Sequence, residues 1–333
     1  MTASIQVLEK EFVNSLIAYR QGEEKLGQGM DISHDGSLNN FRGKFVIVGI
    51  PEDIGVRANH GMAGAYTAFH SFLQSFVNIQ NTETLNGRQF FLLGQVDTCQ
   101  LMQESQNANI QELRSLTQAL DDRVCPVIQM IVSAGKIPIV IGGGHNNAFP
   151  ILKGCSLALK QGVNAINLDA HTDFRTKEGR HSGNGFSYAY DSGFLKRYAM
   201  LGLHEAYNSD YCTNELRTNP DFLPLFFEDV FLRKKESWEN AQQRAIDFVS
   251  DELFGVELDV DSVQNMLSSA WSPVGISARE SLNYLYYCGK NKGAAYLHLA
   301  EAIYKRSDGQ EDRLVGKLLS YMVQAFCKGV IER

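Results

Sequence analysis

The chain has 333 residues, 44% of them apolar and 21% charged, with 31 basic against 38 acidic side chains and a net charge of −7. That length and apolar share support a sizeable core, and the scattered charges argue against disorder. The acidic balance argues against general affinity for nucleic acid or an anionic membrane, either of which needs a cationic face.

In chain order, the pattern opens with a helix over about Ile5–Tyr19. Glu9, Lys10 and Glu11 stand where a signal peptide would be apolar. Residues 1–43 read as a helix-and-loop extension of a single domain spanning 1–333. Eight short apolar runs follow: Phe45–Ile50, Phe90–Leu93, Ile137–Ile141, Ala165–Leu168, Tyr198–Leu201, Leu223–Phe227, Leu253–Leu258 and Ala295–Leu299. Most lack polar alternation, so they predict strands covered on both faces, as in a parallel sheet. Between them, apolar residues at a spacing of three to four predict helices over Ala63–Val77, Ile110–Ala134, Ala148–Gln161, Trp238–Asp251, Ala278–Cys288 and Arg313–Val330. Gly29–Arg42, His204–Asp221 and Ser262–Ser277 read as long loops. Strand and helix alternating along the chain means α/β, with a mostly parallel sheet flanked by helices.

The six cysteines are far apart and form no CxxC or Cys/His cluster. They read as reduced, mostly buried thiols of a cytoplasmic protein. No run approaches the ~20 apolar residues of a membrane span.

Ligands of open parallel sheets bind beyond the carboxyl ends of the strands. Three strand ends deliver unusual polar residues. Gly142-Gly143-Gly144-His145 follows Ile137–Ile141, Asp169-Ala170-His171-Thr172-Asp173 follows Ala165–Leu168, and Asp259-Val260-Asp261 ends the Leu253–Leu258 run. In extended backbone, residues i, i+2 and i+4 share a side, which would let Asp169, His171 and Asp173 converge, and likewise Asp259 and Asp261. Each motif alone has a plainer reading. His145 could be a satisfied polar residue, and the aspartates could be helix caps or ion-pair partners. Together, four carboxylates and two imidazoles are too many for one tetrahedral zinc and suit two divalent ions, with Mn(II) favoured by the mix of hard oxygen and nitrogen. A phosphate-loop reading of the glycines fails for want of a Lys-Ser/Thr pair.

The order Gly-Gly-x-His, Asp-Ala-His-x-Asp, Asp-x-Asp resembles the ureohydrolase superfamily of arginases, agmatinases and formimidoylglutamases, over about Phe45 to Glu301. Pro51 to Gly61 looks like its first substrate loop, Ser182-Gly183-Asn184 like its Ser-Gly-x motif, and Leu297 to Glu301 like the strand whose glutamate meets the substrate. The resemblance implies one three-layer α/β domain with eight parallel strands and two Mn(II) ions. One ion would take His145, Asp169, Asp173 and Asp259; the other Asp169, His171, Asp259 and Asp261. It implies hydrolysis of an amidine or guanidine carbon–nitrogen bond by a bridging hydroxide, with Asp173 orienting the nucleophile and Glu301 holding the cationic group. It also implies a homo-oligomer.

Within that superfamily the sequence is most similar to formimidoylglutamases, which act on a small-molecule amidine of histidine breakdown. Phe186 stands where arginases and agmatinases carry a histidine, and Gly144 where agmatinases carry an aspartate. Gln264 replaces the last aspartate of the usual Asp-x-Asp-x-x-Asp run. A substrate with two carboxylates needs cations, and Arg57, Arg175 and Arg180, with Asn59 and Asn184, are the expected binding residues. His181 is the nearby candidate proton donor. His60 is a further candidate for the pocket, and His298 reads as a core histidine. Arginase or another guanidino-acid or agmatine hydrolase is the alternative activity. A degenerate, non-catalytic metal-binding protein is the alternative of another class.

Overall fold

The computed structural model describes residues 4–38 and 41–333. Its ten strands are β1 (Ile5–Gln6), β2 (Asp31–Ile32), β3 (Phe45–Gly49), β4 (Phe90–Val96), β5 (Ile137–Ile141), β6 (Val163–Leu168), β7 (Leu195–Leu203), β8 (Phe222–Phe226), β9 (Phe254–Asp259) and β10 (Ala294–Ala300). They form one sheet in the order β1-β4-β3-β5-β10-β9-β6-β7-β8, with β2 also paired to β4. All pairings are parallel except β1 with β4.

The eight expected strands are present, and two short ones add to them. Both added strands lie against β4, the outermost of the long strands on that side, and cover part of its open edge. Gly94 permits the approach of β1: its φ is +120°, and a Cβ there would meet the Gln6 carbonyl oxygen at 2.4 Å. The N-terminal helix is correspondingly shorter than expected. It spans Lys10–Ser15, because Ile5–Gln6 is strand. The predicted loop His204–Asp221 contains a helix, Asp210–Thr218, capped by the Ser209 side chain.

Alternate residues along each strand feed two separate cores. Phe45 and Ile47 pack on one face, with helices Ala68–Phe76, Trp238–Val249, Ala278–Lys290 and Val315–Ile331. Val46 and Val48 pack on the other, with helices Ile110–Ser133 and Ala148–Leu159. This doubly covered sheet is why the strands read as unbroken apolar runs. None of the helices among the described residues is long and apolar enough to cross a membrane.

The topology also fixes the site. From β5 the chain skips two positions to build β6, and β9 and β10 later fill that gap. The carboxyl ends of β5, β10, β9 and β6 therefore lie side by side at the middle of the sheet, where ligands of such sheets bind.

Candidate metal centre and substrate cavity

Three of those strand ends, of β5, β6 and β9, bring the expected metal ligands together, and the fourth, of β10, delivers Glu301. Nδ1 of His145 lies 2.9 Å from Asp173 Oδ2, 3.2 Å from Asp259 Oδ2 and 3.3 Å from Asp169 Oδ2. Nδ1 of His171 lies 3.1 Å from Asp261 Oδ2 and 3.6 Å from Asp169 Oδ1. The donors form two groups, His145–Asp169–Asp173–Asp259 and Asp169–His171–Asp261, joined at Asp169.

Convergence comes from turns rather than from the extended alternation the spacing suggested. Asp169 Oδ1 accepts the backbone N–H of His171 at 2.7 Å, and Asp259 Oδ1 accepts that of Asp261 at 2.8 Å. The same i to i+2 turn is thus built twice, after β6 and after β9. Asp173 then takes a left-handed conformation, φ 45°, which swings it back beneath His145.

The electrostatics call for cations. One imidazole nitrogen carries at most one proton, yet His145 Nδ1 faces three buried carboxylates. Burial pushes Asp173 up to about 6, with the Asp169 charge adding to it. Burial also raises Asp259 well above the usual range, reinforced by Asp261 and Asp169. Burial opposes ionisation of Asp169 too, but the imidazoles of His145 and His171 outweigh it and hold that carboxyl low. Asp261 Oδ1 is buried without a hydrogen-bond partner among the described residues. A donor set of carboxylate oxygens and imidazole nitrogens with spare lone pairs fits hard or borderline divalent cations.

A cavity of about 610 Å3 opens over this cluster. His171, Asp173, Asp259, Asp261 and Glu301 form its floor, and Asn59, Arg175, Ser182 and Asn208 are among its walls. Glu301 follows β10 with φ 61°, and its Oε2 is buried without a partner. Burial pushes its carboxyl up to about 8. Arg175 donates to Asn59 Oδ1 at 2.9 Å. A side chain at Gly183 would collide with both, since its Cβ would lie 2.9 Å from Arg175 Cδ and from Asn59 Nδ2.

Other expected site residues lie elsewhere. Arg57 is spent on Asp53 and on Ser105. Arg180 is buried, paired with Asp121 at 2.8 Å and stacked against Phe149 and Tyr188. Asn184 braces the 176–181 loop, accepting from Arg180 and from the His181 N–H and donating to Thr176 and Gly179 carbonyls. None of these three lines the cavity. His181 does not line it either. It is a buried cap whose Nδ1 accepts the Gly183 N–H at 3.1 Å, and burial holds it down at about 4. Among the described residues, His171 is the one imidazole that lines the cavity. Phe186 is fully buried, edge-on to His145 at 5.2 Å and stacked on Tyr198 at 4.3 Å. It supports the ligand ring from below.

Sequence reasoning missed two buried carboxylates. Glu52 accepts from the backbone N–H groups of Ile54, Gly55 and Gly144 and from the Asn146 and Asn147 side chains. It thereby clamps the turn that carries His145. Glu257 lies behind the His145 ring. Its signal was position, two residues before Asp259 in the same strand.

A family model described as the arginase family matches residues 43–314. A formimidoylglutamase of Streptococcus pyogenes is 26% identical over 261 residues, covering 75% of this chain and 72% of that protein. In fold, a formiminoglutamase of Trypanosoma cruzi solved with Mn2+ superposes with a TM-score of 0.72 at 22% identity, over 93% of this chain and 99% of that one. A formimidoylglutamase of Bacillus subtilis gives 0.77 at 14% identity, over 95% and 94%.

Proposed function

The chain belongs to the arginase family, and from that premise we propose that it is a binuclear manganese hydrolase of N-formimidoyl-L-glutamate, releasing L-glutamate and formamide. The observation that carries this reading is the pair of donor groups sharing Asp169 beneath a cavity that Arg175 also lines. One ion would be held by His145, Asp169, Asp173 and Asp259, and the other by Asp169, His171, Asp259 and Asp261. When bound, two such ions supply Lewis acidity that makes water a nucleophile at neutral pH.

The chain's own residues do the rest. Glu301 Oε2 offers a free acceptor to the cationic amidine group, and its Oε1 is tethered by the His145 N–H at 2.8 Å. Asp173 lines the cavity and orients the attacking water through a hydrogen bond. Arg175, fixed by Asn59, takes a substrate carboxylate in a charge-assisted pair. Water adds its oxygen to the amidine carbon, the bond to the glutamate nitrogen breaks, and that nitrogen leaves as an amine with a proton. Support for the formimidoyl substrate over arginine comes from the buried Phe186, which stands where arginases carry a histidine, and from the named relative.

A panel of formimidoylglutamate, arginine, agmatine and guanidinobutyrate, each with Mn(II), tests it. Formamide release from the first is expected. Turnover of arginine alone would overturn the substrate assignment.

A further inference from the structure

Glu257 is fully buried in β9, directly opposite His298 of β10 in the strand register. Its two ion-pair partners among the described residues are both imidazoles. Oε1 accepts the Tyr296 hydroxyl at 2.6 Å, and Oε2 lies 2.6 Å from His298 Nδ1. The same Oε2 is 3.5 Å from Nε2 of His145. Tyr296 reaches this position because residue 255 is glycine: a Cβ there would sit 2.1 to 2.4 Å from the phenol ring. The other nitrogen of His298 faces the Gly142 carbonyl at 3.4 Å, at the root of the turn that carries His145.

The His145 ring therefore has two unlike sides. Nδ1 faces the carboxylates of Asp169, Asp173 and Asp259, and Nε2 is buried with no hydrogen-bond partner among the described residues, Glu257 Oε2 lying 3.5 Å from it. An imidazole that gives one nitrogen to a cation keeps its proton on the other, and that proton needs an acceptor. A further carboxylate under an already acidic cluster is costly unless it is held by donors. Here Tyr296 and His298 supply them. The Glu257–His298 contact is itself a hydrogen bond, which favours a relay through Glu257 over a third ion site, although the donor atoms of His145, Glu257 and His298 lie close enough together to hold an ion.

We propose that Glu257 is a positioning residue for His145. It accepts the Nε2–H, turns Nδ1 towards Asp169, Asp173 and Asp259, and is itself fixed by His298 and Tyr296. This rests on the metal-centre reading above and deepens it: Glu257 tunes one of the two ions, the one bound by His145.

The test is a Mn2+ titration of the metal-free chain, with free ion followed by electron paramagnetic resonance and no substrate present. The unaltered chain is expected to bind two ions. Glu257→Gln is expected to weaken one of them by about 10- to 100-fold, leaving the other within about threefold. Tyr296→Phe, which removes a single hydroxyl, is expected to weaken the same ion by a smaller factor. Two ions bound by folded Glu257→Gln at unaltered affinity would overturn the inference, as would equal weakening of both, which marks a merely structural role. If Glu257→Gln does not fold, Tyr296→Phe decides on the same criterion. An unaltered chain that binds no ion overturns the hydrolase reading, and this inference with it. Three bound ions would overturn the relay alone.

Discussion

Oε1 of Glu301 accepts the backbone N–H of His145 at 2.8 Å, tying the end of β10 to the turn after β5. The Glu301 N–H returns a bond to the Gly143 carbonyl at 3.0 Å. This double tie accompanies the left-handed conformation of Glu301 and leaves Oε2 without a hydrogen-bond partner among the described residues. Glu301→Gln keeps the size and the tether but cannot take the charge that a bound cationic group would draw out of the carboxyl. We expect kcat/KM for an amidine substrate to fall at least about 30-fold, as for other buried charged partners, with bound metal unchanged by elemental analysis. Unchanged kinetics would remove Glu301 from substrate binding.

The arginines separate cleanly. Arg175 is exposed on the cavity wall, whereas Arg180 is buried against Asp121. Arg175→Ala should raise KM for a dicarboxylate substrate by about 10- to 100-fold and shift the melting temperature by no more than about 2 °C. Arg180→Ala should cost about 3–5 kcal/mol of stability, because Asp121 would be left buried and unpaired. Thermal melts beside steady-state kinetics distinguish the two. A stable Arg180→Ala chain, or an Arg175→Ala chain with unaltered KM, would reverse the assignment.

His181 gives a pH signature. Burial holds its native value at about 4, against about 6.5 in an unfolded chain. The stability contributed by burying the neutral ring is present above pH ~6.5. It shrinks as pH falls from there towards 4, because the unfolded chain then binds a proton that the native site refuses. His181→Asn keeps an acceptor for the Gly183 N–H and does not titrate. Its urea midpoint should therefore drop less between pH 7 and pH 5 than that of the unaltered chain. Equal drops would contradict the buried-neutral description.

The glycine turn has no room for the residue that related hydrolases carry. A Cβ at Gly144 would meet Asn146 Oδ1 at 2.5 Å and Val56 Cγ2 at 2.7 Å. At Gly143, with φ +74°, a Cβ would meet Asn147 Nδ2 at 2.4 Å. Gly144→Asp would also place a carboxylate near Glu301 and Glu52. It should lower Mn2+ affinity and melting temperature together. Retention of both would mean the turn is more adaptable than its packing indicates.

The eight long strands were legible because a sheet covered on both faces demands continuous apolar runs. The clustered His and Asp residues were legible because they follow those runs directly. Their mode of convergence was not. Asp169 and Asp259 each bend the chain by bonding the amide two residues on, and spacing alone cannot distinguish that turn from an extended segment. β1 and β2 are two residues each, too short to show a period. Arg180 was misread because its partner, Asp121, lies 59 residues upstream on the helix Ile110–Ser133, and nothing in the local sequence announces it. Glu257 went unremarked because a glutamate inside an apolar strand has meaning only once His298 and Tyr296 are seen beside it.

The measurement that bears most directly on the proposed chemistry is formamide release from formimidoylglutamate as the metal-free chain is titrated with Mn2+. Two donor groups sharing Asp169 predict activity that rises to a plateau at two ions per chain. A plateau at one ion, or full activity without metal, would contradict a binuclear centre.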